Sequence, residues 1–377
     1  MTSSDEVLQT FSDSIDDVIR IECDRRRLHA YLDGEDGLDH ALWRRAAQLG
    51  WLAIGLKEEL GGLGLGYRGH DVLFRSLGRG LVPGAIGSTL AGVQWLAECA
   101  PSAVTTRIIE RVLAGELELG IPAVPGAAAM RIEGGRITGE SEALLIHSCN
   151  SLSILPVSDE GTPGFALVAV GEGCAEQAGN GHARLTRIAL WDRTRSIGRI
   201  ECNAVAPESV ISDPHGRADD LLRRHLALAI AADCVGGARA IAEQTLEYLK
   251  GREQFGRPLA SFQALKHRVA DLHVAIVEAE QTLDHAVDAA TRDTESASMW
   301  AALAKADASD AYSFVAADCV QLHGGVGFTW ASDCHVFLKR AMLNRQLAGD
   351  SGSLRDFAVS RLSQATQAGV TTAELAT

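Results

Sequence analysis

The C-terminal stretch from residue 218 onward constrains this chain more than any other part. Residues 221–251, 261–290 and 297–322 are rich in Ala and Leu and repeat apolar positions at helical spacing over unusual lengths. Shorter segments at 335–347 and 354–365 continue the pattern. Long apolar helices with few breakers must bury their faces against one another, which predicts a helical bundle. No run reaches the ~18 consecutive apolar residues needed to cross a bilayer, so the apolar surface is expected inside the bundle or between subunits.

The preceding part reads differently. Residues 120–213 are rich in Gly, Val, Ile and Thr and fall into short runs. In the stretch 131–139, Glu133 and the pair Gly134-Gly135 mark a hairpin turn between short strands, and 165–170 and 199–206 are further strands. The first ~115 residues return to helical spacing, with a charged amphipathic stretch over 6–32 and a helix over 38–49 after the breakers Asp33, Gly34, Glu35, Asp36 and Gly37. A glycine loop at 61–66 and a break at Val82-Pro83-Gly84 punctuate the rest. The expected architecture is α+β and mainly α, in three domains: an N-terminal helical domain at 1–117, a small central β domain at 118–215 and a C-terminal four-helix bundle at 216–377.

Charge narrows the partners. With 35 Lys and Arg against 49 Asp and Glu, the net charge is −14, and no basic stripe offsets it. This argues against nucleic acid or an acidic membrane surface, but not against small anions held by a few local cations. The N-terminus, Met1-Thr2-Ser3-Ser4-Asp5-Glu6, lacks the pattern of a signal peptide. The eight cysteines, Cys23, Cys99, Cys149, Cys174, Cys202, Cys234, Cys319 and Cys334, show no CxxC spacing. They read as free thiols of a cytoplasmic protein rather than a metal site.

Three glycine clusters invite a phosphate-loop reading. The loop at 61–66 lacks the strand-turn-helix context of a dinucleotide fingerprint. Gly236-Gly237 lies within a helical pattern and reads as close helix packing. Gly324, Gly325 and Gly327 follow a helix and read as a C-terminal turn. The other punctuated segment joins two long helices. Its Arg252 and Arg257 are either solvated loop charges or, for Arg252, a phosphate anchor through charge-assisted hydrogen bonds.

Together, these segments resemble the acyl-CoA dehydrogenase family. The likeness rests on Arg252-Glu253-Gln254-Phe255-Gly256-Arg257-Pro258 with Ser261-Phe262-Gln263 and Val269-Ala270-Asp271-Leu272, and on Gln321-Leu322-His323-Gly324-Gly325-Val326-Gly327-Phe328-Thr329-Trp330. Leu190-Trp191-Asp192-Arg193-Thr194-Arg195 and Leu60-Gly61-Gly62 also have family counterparts, and the likeness covers nearly the whole chain. It implies FAD held non-covalently at a subunit interface. Arg252, Gln254, Phe255, Phe262 and Gln263 would reach a neighbour's FAD, with Arg252 at the pyrophosphate, and Gln321, Gly324 and Gly325 would lie against its adenylate end. It also implies α,β-desaturation of an acyl-CoA thioester, a same-family partner in a homo- or hetero-tetramer, and an electron-transfer flavoprotein as acceptor.

The sequence departs from the family pattern at the catalytic base. The usual Glu-Gly pair reads Ala348-Gly349, and the second known location falls near Leu226, also apolar. Asp350 or Glu247 would be substitutes; as ordinary residues they read as a loop or N-cap carboxylate and a solvated helix face. The β domain departs too. Ile121-Pro122-Ala123-Val124-Pro125-Gly126-Ala127-Ala128-Ala129-Met130 replaces the usual flavin-site strand, and Leu144-Leu145 replaces an aromatic. These losses favour a base-lacking partner subunit of a heteromer, a pattern that the family shows in the degradation of steroid side chains and other bulky acyl-CoAs. The alternatives are an active homo-oligomer with a displaced base, a diverged flavin oxidase or hydroxylase, and a flavin-free scaffold.

Overall fold

The computed structural model describes residues 4–34, 40–84, 86–126, 130–146, 151–170 and 181–367. Glu35, Asp36, Gly37, Ala127, Ala128, Ala129, Cys149 and Cys174 lie outside the described residues. Helices α1 (Ser4–Glu22), α2 (Arg25–Asp33), α3 (His40–Gln48), α4 (Gly66–Arg79), α5 (Ile86–Cys99) and α6 (Ala103–Leu113) come first. Nine strands follow: β1 (Glu118–Pro122), β2 (Met130–Glu133), β3 (Arg136–Glu140), β4 (Leu144–Leu145), β5 (Ser151–Asp159), β6 (Thr162–Val170), β7 (His182–Ile188), β8 (Ile197–Val205) and β9 (Ser209–Ser212). The chain then returns to helix in α7 (Arg217–Gly251), α8 (Gln263–Thr291), α9 (Ala297–His323), α10 (Cys334–Asn344) and α11 (Ser351–Gln367). The helical, β, helical order is the one expected.

Two compact units divide the chain, and the boundary falls within α7. One comprises residues 25–70 and 83–226. Its sheet is organised by two long strands. β5 takes β1 and then β2 along one edge and β6 along the other. β8 takes β4 and β3 along one edge and β7 along the other. The β1–β4 and β2–β3 pairs join these halves, so the sheet curls around a core that includes Met130, Ile132, Leu155, Val168 and Ile200. Period-2 alternation builds that core: Met130 and Ile132 of β2 point inward while Arg131 and Glu133 face solvent. The expected hairpin is present, with Gly134 and Gly135 both at positive φ. Upstream, Ser102 caps α6 in a reciprocal arrangement with Thr105.

The other unit comprises residues 1–24, 71–82 and 227–377. Small residues let its helices approach closely. A Cβ on Gly236 of α7 would lie 2.0 Å from the Arg75 carbonyl oxygen, and one on Gly237 would lie 2.6 Å from the Tyr312 ring. These contacts bear out the packing reading of the Gly236-Gly237 pair. By length and composition α7 would suffice to cross a membrane, but its most apolar window is 89% buried within the protein, as in a core helix.

Charged groups sit in this unit's core. Arg340 is fully buried and donates from Nη1 to Asp233 Oδ1 at 3.0 Å and from Nη2 to the Val82 carbonyl at 3.2 Å. Asn344 Nδ2 donates to the other Asp233 oxygen at 2.7 Å. As a helix-face charge, Arg340 reads as solvated; the structure places it at the centre of a buried network instead.

Candidate functional site

The two sequence motifs meet across one pair of rings. Tyr248 lies in the last turn of α7, and its carbonyl accepts from the Arg252 backbone N–H at 2.9 Å. Its ring stacks on His323, the last residue of α9, with centroids 4.2 Å apart. This stack ties the loop 252–258 to the turn 324–328. His323 Nδ1 lies 2.9 Å from the Cys319 carbonyl, which fixes the ring against its own helix.

Around this stack the motif residues are open to solvent. Arg252, Gln254, Phe255, Gln263, Gln321, Gly324 and Gly325 are all exposed, and Phe262 is half-buried. Phe255 is 91% exposed and carries a positive φ of 54°, a strained backbone that holds an apolar ring in water. It meets Phe262 edge-on at 6.2 Å, and the Arg257 guanidinium covers the Phe262 ring at 4.0 Å. The Arg252 guanidinium has no hydrogen bond or ion pair among the described residues. Gly324 has φ 61° and ψ −141°, a conformation only glycine adopts readily, and nothing crowds it or Gly325. Val326, Phe328 and Trp330 extend the exposed apolar surface. Such a face beside an unpaired cation is the signature of a binding surface.

The Ala348 turn has no proton acceptor. Ala348 is 5% exposed and sits at φ 60°, and Gly349 follows at φ 103°. Lys305 of α9, fully buried, holds this turn: its Nζ donates to the Arg345 carbonyl at 3.0 Å and to the Gly349 carbonyl. Burial lowers its pKa to about 8. Asp350 is exposed and caps α11, accepting from the Gly352 and Ser353 backbone N–H groups at 3.0 and 3.1 Å and from Ser353 Oγ at 2.6 Å. The Ser353 bonds hold its carboxyl below the usual range. Glu247 is exposed and pairs with Lys250 at 2.7 Å. Leu226 is buried.

The unit that carries the sheet contains a cavity of about 390 Å³ lined by Pro122, Val124, Pro125, Gly126, Leu144 and Pro156, with Ser141 and Glu142 as its polar groups. Trp191 is 89% exposed in the turn before β8, where Asp192 accepts from the Thr194 backbone and hydroxyl.

The same unit holds a polar cluster that the sequence motifs do not mark. His225 is 3% exposed, and its Nε2 lies 3.0 Å from Glu98 Oε2. Tyr67 stacks on the His225 ring at 5.0 Å and 6°, with its hydroxyl 3.4 Å from Nε2 and 3.5 Å from Glu98 Oε2. Gln94 Nε2 donates to Glu98 Oε1 at 2.8 Å. Burial alone would raise the Glu98 pKa, yet the bond and charge of His225 outweigh it and bring the pKa down to about 2. His70, also buried, is lowered to about 3, chiefly by desolvation.

Comparison with known proteins decides the family. Residues 5–116 match the acyl-CoA dehydrogenase N-terminal domain, and residues 224–363 match the acyl-CoA dehydrogenase C-terminal domain. The chain belongs to the acyl-CoA dehydrogenase family. It is 32% identical over 323 residues to acyl-CoA dehydrogenase IpdE2 of Mycobacterium tuberculosis, covering 85% of this chain and 86% of that one. Among solved structures, the Tcur3481–Tcur3483 steroid ACAD superposes with a TM-score of 0.85 and 25% identity, over 97% of this chain and 100% of that one. The ChsE4–ChsE5 complex of Mycobacterium tuberculosis shares the fold, with a TM-score of 0.81, 21% identity and coverage of 97% and 98%.

The protein is therefore an FAD-dependent acyl-CoA dehydrogenase by family, and its surface fits that cofactor. An exposed, unpaired guanidinium suits a pyrophosphate, and two uncrowded glycines admit close approach of a nucleotide. Sequence reasoning missed Lys305 and the Asp233–Arg340 pair. The available signal was a single charge interrupting an alanine-rich helical face, as Lys305 does between Ala304 and Ala306.

Proposed function

We propose that this chain is the base-lacking partner subunit of a heteromeric acyl-CoA dehydrogenase, supporting α,β-desaturation of an acyl-CoA thioester. The observation that carries the reading is the contrast between two sites. Arg252, Gln254, Phe255, Phe262, Gln263, Gln321, Gly324 and Gly325 form an intact, exposed surface suited to FAD. The base position at Ala348 offers only a methyl group. When bound, FAD supplies the two-electron acceptor of the desaturation. Arg252 offsets the pyrophosphate charge, and Phe255 and Phe262 exclude water beside it. The proton acceptor then comes from a second, base-bearing chain of the same family. Similarity to the Tcur3481–Tcur3483 steroid ACAD and to the ChsE4–ChsE5 complex supports a two-chain assembly and a bulky acyl group. A homo-oligomer would need Asp350 or Glu247 as base, but the first is committed to a helix cap and the second to Lys250.

The test is flavin stoichiometry. Expressed alone, the chain should purify with little FAD and show no bleaching with acyl-CoA. Co-expressed with a base-bearing family member, the complex should retain FAD and bleach, and Arg252→Met should release the flavin. One FAD per chain, bleached by acyl-CoA without a partner, would overturn the proposal.

A further inference from the structure

The cavity in the sheet-bearing unit opens where the two halves of the sheet part. β5 pairs with β1 through Ser153 and with β2 from Val157, so 154–156 meets neither strand. Pro156 sits in this gap, where it has no N–H to leave unpaired. β8 pairs with β4 at Ile197 and Gly198 and with β3 from Glu201 onward, which leaves a second gap. Ser141 closes it: its backbone N–H donates to the Ile200 carbonyl at 2.8 Å, and its Oγ accepts from the Ile200 N–H at 2.8 Å. Ser141 is 6% exposed and borders the cavity, and its hydroxyl proton meets no acceptor among the described residues. Arg223 of α7 brings further donors. Its Nε donates to Asp219 Oδ2 at 2.6 Å, and its Nη2 lies 3.6 Å from where a Cβ would sit on Gly126, a lining residue of the cavity. The Arg223 Nη groups make no hydrogen bond or ion pair among the described residues.

The lining limits what can enter. A volume of about 390 Å³ is at the small end of ligand cavities and suits a ring system of roughly ten to fifteen heavy atoms. The walls are Pro122, Pro125, Leu144 and Pro156, with the half-exposed Val124 at the mouth. The family resemblance would put a flavin-site strand here. An isoalloxazine ring asks for several donors to its carbonyls and ring nitrogens, and prolines have no N–H to give. The donors in place, on Ser141 and Arg223, suit an acceptor that carries negative charge, and a carboxylate has lone pairs enough for both. Glu142 is also on the lining, but it is exposed, and water screens its charge. We infer that this cavity binds a cyclic hydrocarbon carboxylate, with its ring body against the proline walls and Ser141 and Arg223 supplying its hydrogen bonds. This goes beyond the partner-subunit reading and is independent of it, since neither FAD nor acyl-CoA takes part.

The experiment uses the full chain without added flavin or thioester. It is titrated calorimetrically with naphthoate, with its neutral counterpart naphthamide, and with lumiflavin. Naphthoate should bind once per chain and about tenfold tighter than the amide, the difference made by one charge-assisted hydrogen bond. Arg223→Gln should cut that preference to about twofold or less. Val124→Trp should plug the mouth and weaken naphthoate by about tenfold or more. Thermal melts establish that both variants fold, and either one tests the placement if the other does not. The inference is overturned by no saturable binding of naphthoate, by equal affinity for acid and amide, or by binding that Val124→Trp leaves unchanged. Displacement of naphthoate by lumiflavin at comparable affinity would also overturn it and return the cavity to the flavin. None of these outcomes touches the partner-subunit reading, which flavin stoichiometry tests.

Discussion

At the residue scale, tight contacts decide which substitutions the protein tolerates. Gly55 faces the buried His70 ring so closely that a Cβ would lie 2.3 Å from Nε2. The ring is buried, so Gly55→Ala should destabilise by about 1–3 kcal/mol through overpacking. A Gly55→Ala/His70→Ala double variant should recover part of that loss, giving a coupling of about 1 kcal/mol or more by denaturant titration. Additive losses would show that something other than the ring resists the methyl. The buried Asp233–Arg340 pair makes a second prediction. Asp233→Ala removes the carboxylate that pairs with the buried Arg340 guanidinium and should cost about 3–5 kcal/mol. Removing both charges together, as Asp233→Leu/Arg340→Met, should cost clearly less, and thermal melts of the three proteins separate these outcomes.

At the element scale, the sequence was most legible where a period was long. The three long apolar segments became α7, α8 and α9 nearly as read, because apolar spacing and tertiary burial agree there. The ends moved for local reasons. α7 begins at Arg217, ahead of the apolar run, and Asp219 and Asp220 complement its first turn. α10 stops at Asn344, short of the expected 347, because Lys305 captures the carbonyls of Arg345 and Gly349 and the chain turns through Ala348 at positive φ. No pattern local to 335–347 announces a lysine forty residues upstream. The polar cluster at Glu98 and His225 was illegible for the same reason: its members lie on three helices, and each alone reads as an ordinary polar helix residue. The glycine reading carries a prediction at this scale. Gly236→Ala sets a Cβ against the Arg75 carbonyl, and backbone cannot step aside as a flexible side chain would. The expected loss is about 2–3 kcal/mol despite alanine's better helix propensity of ~1 kcal/mol, so the melting temperature should fall. A rise would mean that the helices part without cost.

At the scale of the whole molecule, ionisable groups whose pKa values folding shifts set a window of stability with two limbs of different origin. His70 is lowered from 6.5 to about 3 and Glu98 from 4.5 to about 2, so the unfolded chain binds more protons than the folded one below about pH 6.5. Stability is therefore lost as pH falls from 6.5, first through His70 and then below 4.5 through Glu98. On the alkaline side two effects oppose each other. Lys305 is lowered from 10.5 to about 8, so folding gains stability as pH rises between those values. Burial pushes the thiols of Cys99, Cys202, Cys234 and Cys319 from 9.0 up to about 12 and raises that of Cys334, so the folded form holds protons that the unfolded chain releases, and stability falls above pH 9. These thiols together outweigh one lysine, each unit being worth about 1.4 kcal/mol, so the alkaline limb should descend. Replacing all five cysteines with alanine should flatten or invert that limb between pH 9 and 10.5, as the lysine's rise emerges, and Lys305→Met in the same background should remove the rise. Denaturant midpoints measured across pH under reducing conditions test the balance: a descending limb that survives the replacement of all five would place the alkaline loss in groups other than these thiols.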